Sequence, residues 1–116
     1  MRHPDWVVRL AALLRAAEGR AFDARRWNCA LFALAAVEAV TGQRPAFRAL
    51  PDLAGSADSA GFPRVAPLRA RMGDIVLAPG PDRLGVVLDA GRAAFVGPRG
   101  LVRAPLTTCT LAWRIG

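Results

Sequence analysis

Apolar residues recur at helical spacing from the start of the chain, with Trp6, Leu10, Leu13, Leu14 and Ala17 on one stripe. Pro4 and Asp5 suit a first helical turn and Gly19 a stop, so the pattern predicts a helix over about residues 4–18. Arg2, Arg9, Arg15 and Glu18 are expected to keep the opposite face wet. A second helix is predicted over about residues 29–40, with Asn28 as its N-cap and Thr41-Gly42 as its end. Glu38 is the only charge in it. A helix apolar nearly all round must be covered on most sides, which makes this one the expected centre of the fold.

The periodicity then breaks. Residues 43–71, "QRPAFRALPDLAGSADSAGFPRVAPLRAR", contain four prolines and no sustained period, and read as a loop with room for one short helical turn near Asp52. Phe47, Leu50, Leu53 and Phe62 punctuate it, and four apolar side chains on such a loop suggest cover by a neighbouring chain. Beyond residue 74 the pattern changes to short apolar runs, "DIVLAP", "LGVVLDA", "RAAFVG", "LVRAPL" and "CTLAWRI", separated by turn residues. These predict four or five antiparallel strands in a small sheet or half-barrel. The expected class is α+β, in a single domain over residues 1–116.

Composition narrows the functional classes. The formal charge is +7, and all sixteen basic residues are Arg. The cations are scattered, with only Arg25 and Arg26 adjacent, whereas a nucleic-acid binder gathers them on one face. Nucleic acid is therefore not the expected partner. No apolar run reaches the roughly 20 residues of a membrane span, and Arg9 and Arg15 interrupt any signal-peptide pattern. His3, Cys29 and Cys109 lack the local pairing of a metal site, and no Gly-rich phosphate loop follows a strand, so neither metal nor cofactor is expected. Asp74 and Asp89, in "GD" and "DAG", read as turn residues. Trp6, Trp27 and Trp113 read as core and interface anchors.

The remaining candidate is Cys29, a thiol at the start of the second helix, where the helix dipole favours a thiolate. "WNCALFA", "RMGDIVLAP" and "RLGVVLDAGRAAF" resemble the nucleophile segment and the first three strands of the NlpC-type cell-wall peptidases, a compact papain-like superfamily. The chain also resembles small phage and prophage proteins encoded among tail genes, whose ends look similar to "PDW" and to "GRAAFVGPRGL" followed by "CTLAWRI" here. The resemblance implies a papain-like domain with Cys29 at the nucleophile position. It also implies that Arg83 stands where the superfamily carries its catalytic His, and Phe95 where it carries the residue that orients that His. Arg keeps its proton and Phe has none to exchange, so neither can take the thiol proton.

The implied role is that of an inactive peptidase-like component of a phage or phage-derived tail, at the tip or baseplate. It would be made in the host cytoplasm, located in the virion tail and held by other tail proteins. Two alternatives stay open: an active cysteine peptidase or amidase on peptidoglycan with Cys29 as nucleophile, and a module that binds a cell-wall peptide without cutting it.

Overall fold

The central helix, α2, spans Cys29–Thr41 and begins where Asn28 Oδ1 accepts the Leu31 N–H at 2.9 Å. It ends at Gly42, whose left-handed backbone (φ 79°) lets its N–H return to the Glu38 carbonyl. Phe32, Ala33, Ala36, Val37, Ala39 and Val40 are all buried along it. Helix α1 spans Trp6–Ala17 and packs beside it through Leu10 and Ala17. The structure, a computed structural model, describes residues 1–116.

Arg9 departs from the expectation of a wet residue. It reaches across to donate to the Ala39 and Glu38 carbonyls, at 2.8 and 3.0 Å, and so satisfies acceptors in the last turn of α2. Val7 and Val8 are exposed on α1 instead.

Residues 43–71 hold more structure than the predicted loop. Asp52 accepts the Gly55 N–H and caps a short helix, α3, over Leu53–Asp58. Arg64–Val65 form a strand, β1, and Pro67–Arg69 a 3₁₀ turn. A two-residue strand between Pro63 and Pro67 is too short to show alternation, which is why the sequence pattern misses it.

The sheet therefore has six strands, rather than four or five. After β1 come β2 (Ile75–Ala78), β3 (Arg83–Val87), β4 (Arg92–Gly97), β5 (Gly100–Pro105) and β6 (Leu111–Trp113). Their order is β1-β6-β2-β3-β4-β5, antiparallel throughout. Strands β2 to β5 form a meander, and the final strand inserts between β1 and β2.

Period-2 alternation gives this sheet two buried faces. Ile75, Leu77, Leu84, Val86, Ala94 and Trp113 join the helices in the larger cluster. Val76, Ala78, Val87, Ala93, Phe95 and Ala112 form the second, closed by Leu106 and Cys109. Over β2, β3 and β4 both faces are covered, so these strands read as nearly continuous apolar runs.

Candidate functional site

Cys29 occupies the first position of α2, where the sequence predicts it, and is half-buried against the larger cluster. Trp27, two residues earlier, is held by a backbone exchange with Asp23 and carries the Arg20 guanidinium 4.3 Å above its ring. Its indole N–H is buried without an acceptor.

The expected neighbours of Cys29 are elsewhere. Leu84 and Val86 face α2, so Arg83 and Gly85, out of phase with them on the same strand, face the other way. The Arg83 guanidinium lies 5.0 Å from the Phe95 ring, and Phe95 belongs to the cluster on the face remote from α2. The expectation that Arg83 approaches Cys29 is corrected by this register: the sheet separates them. Arg83 has a nearer thiol in Cys109, whose pKa is pushed up by burial and drawn partly back by Thr108 and Arg83. His3, the only histidine, is at the far end of α2, where its backbone N–H donates to the Val40 carbonyl at 2.8 Å. Eleven helical steps of about 1.5 Å place that end about 16 Å from Cys29.

The loop residues divide. Leu53 and Phe62 pack on the domain's own core, and Phe47 and Phe62 line an apolar cleft with Ala30, Leu34 and Trp113. Of the four, only Leu50 is exposed, at 40%. Two serines strap the segment down: Ser56 Oγ accepts the Leu50 N–H and Ser59 Oγ the Arg48 N–H, both at 2.8 Å. The four residues therefore do not form one surface awaiting a neighbour, because α3 and these turns turn three of them inward. The cleft measures about 30 Å³, room for about one water among walls that offer it almost no polar partner.

The most elaborate polar cluster surrounds Asp74, which the sequence suggests only as a turn residue. Asp74 is fully buried just before β2. Its Oδ1 accepts from Arg2 Nη2 at 3.1 Å and from the Ile115 N–H at 2.9 Å. Its Oδ2 accepts from Arg114 Nε at 3.1 Å and from the Arg71 N–H at 2.8 Å. Arg2 also donates to the Ile115 and Met72 carbonyls, at 3.0 and 2.7 Å. Burial lowers the Arg2 pKa, and Asp74 opposes that shift. The carboxylate thereby ties both ends of the chain to the sheet. No local pattern announces it, since Arg2 and Arg114 are 112 positions apart.

Side chains able to exchange protons are thus absent from the two positions expected to serve Cys29, and the cluster around Asp74 is used up in holding the fold. No curated protein matches the chain. Residues 1–51 and 47–115 match the sequence model of one family, described as "Domain of unknown function (DUF6950)", and with nearly its whole length covered the chain belongs to that family.

Proposed function

We propose that this protein is a non-catalytic, peptidase-like structural component of a phage or phage-derived tail, acting through its surfaces at the tip or baseplate. The tail context comes from the sequence resemblance. The non-catalytic part is supported by one observation: Arg83 and Phe95, at the positions that the resemblance gives to the catalytic His and to the residue that orients it, lie across the sheet from Cys29. Cysteine attack on an amide needs a group that takes up the thiol proton and returns it to the leaving amine.

Deleting the gene from its phage or prophage should yield particles with incomplete tails, and Cys29→Ala should restore them fully. The purified protein should leave peptidoglycan fragments intact. Hydrolysis that disappears in Cys29→Ala would replace this reading with that of a working peptidase, and complete tails in the deletion strain would remove the structural role.

A further inference from the structure

Helix α1 carries a second stripe, on the face opposite its core contacts. Asp5, Val8, Ala12 and Arg15 follow one another at intervals of three, four and three residues, and all four are exposed. Val8 is 69% exposed and the neighbouring Val7 53%. The spacing is that of a coiled-coil seam. It is also palindromic, so an antiparallel copy presents the same stripe in reverse.

The charges at the two ends of the stripe are free. Asp5 stands at the N-cap of α1, yet its side chain makes no capping hydrogen bond. Its carboxylate and the Arg15 guanidinium take part in none of the salt bridges of the fold, which use Arg2, Arg64, Arg103 and Arg114. One end of the stripe is negative, the other positive, and the middle is apolar.

We infer that α1 pairs antiparallel with α1 of a second copy of this chain. Reversing the helix about residue 10 places Asp5 opposite Arg15 of the second copy, and Val8 opposite its Ala12. Every layer is then matched in charge or in size, and the two-fold axis makes each contact twice. Antiparallel alignment also sets opposite helix dipole ends against each other. The helix has only twelve residues, about 18 Å of length. The contact is therefore at the small end of specific interfaces, and the dimer is weak and reversible.

Sedimentation velocity of the full chain, over the weak-affinity range from about 1 μM to about 1 mM, provides the test. The expected result is a monomer–dimer equilibrium that Val8→Glu abolishes. Asp5→Arg and Arg15→Asp should each raise Kd about tenfold or more, because each breaks both symmetry-related pairs. The double variant D5R/R15D should return Kd to within about threefold of the parent, since the swap restores the pairing. Far-UV circular dichroism confirms that each variant, altered only at exposed positions, keeps its helix. A monomer at every concentration overturns the inference. So does a dimer insensitive to Val8→Glu, or a double variant no better than the singles.

Discussion

The guanidinium of Arg83 stacks over the ring of Phe95 at 5.0 Å from its centroid, on the sheet face turned away from α2. The two positions that the resemblance couples as catalytic partners are therefore coupled here as packing partners. A cation over an aromatic ring contributes about 1 kcal/mol at a partly buried site, which offsets part of the cost of the buried Arg83 Nε that has no acceptor.

This arrangement predicts that Arg83→His does not create a hydrolase. The imidazole would supply the missing chemistry, but on the wrong side of the sheet from Cys29. The variant should fold and should release no product from peptidoglycan fragments at any pH from about 6 to 9, the range in which an imidazole and a thiol titrate. Cys29-dependent turnover in Arg83→His would show that the β3 register described here is wrong.

Gly85 lies beside that stack, and a methyl group added to it would fall 2.5 Å from Phe95 Cε1 and 2.7 Å from the Ala94 carbonyl oxygen. Backbone on one side and a fully buried ring on the other leave nothing to yield. Gly85→Ala should destabilise the domain by roughly 1–3 kcal/mol, in the range of overpacked cores. The urea midpoint reads it directly. Phe95→Leu combined with Gly85→Ala should recover part of the loss by opening the space, and an unchanged midpoint in Gly85→Ala alone would contradict the packing described.

The elements legible in the sequence are those whose signal is local. Asn28 and Gly42 bracket α2, and the apolar runs after residue 74 mark the strands of the meander. The side of the sheet on which Arg83 falls was not legible. Leu84, Gly85, Val86 and Val87 are all buried, so no polar–apolar alternation marks the two faces and only the β2–β3 and β3–β4 pairings fix them. The inward turn of Leu53 and Phe62 was hidden for a similar reason, because it depends on the Ser56 and Ser59 hydroxyls meeting the Leu50 and Arg48 backbone. The Asp74 cluster needs both chain ends at once, which no window of sequence contains.

Acid should weaken the fold through two exposed carboxylates. Asp58 accepts from Arg64 Nε and Nη2 at 2.9 and 2.6 Å and from Trp113 Nε1 at 2.8 Å; the Arg64 bonds first, then Trp113, hold its pKa below the usual 3.8. The Arg103 fork does the same for Glu18, below 4.5. For groups depressed on folding, the stabilisation is complete above the unfolded pKa and is lost as pH falls through the lower, folded value. The urea midpoint should therefore hold steady above about pH 5 and fall below about pH 4. Side-chain exposures of 42% and 52% mean that solvent and salt screen both pairs, so the loss is small. In Asp58→Asn, combined with Glu18→Gln, the decline between about pH 5 and pH 3 should be shallower. An identical decline would assign it to other groups.

Asp74 should be the most sensitive single polar position in the molecule. Its carboxylate is fully buried and satisfies two guanidinium groups and two backbone N–H groups from three separate segments. Asp74→Ala removes the acceptor shared by all four donors, two of them charged. Breaking a buried pair in this way costs roughly 3–5 kcal/mol, a large share of the stability of a small domain. Asp74→Asn keeps the shape and one acceptor oxygen but loses the charge, and should fall between the parent and Asp74→Ala. Arg2→Ala should cost less than Asp74→Ala, because Arg114 and the two N–H groups still hold the carboxylate. Combining Arg2→Ala with Asp74→Ala should cost less than the sum of the two, since Arg2→Ala removes a guanidinium that Asp74→Ala has already stranded. Guanidinium chloride is unsuited to the measurement, because its own charge screens the cluster, so urea unfolding followed by circular dichroism is the appropriate readout. A loss below about 1 kcal/mol for Asp74→Ala would mean that the chain ends are not fastened through this carboxylate.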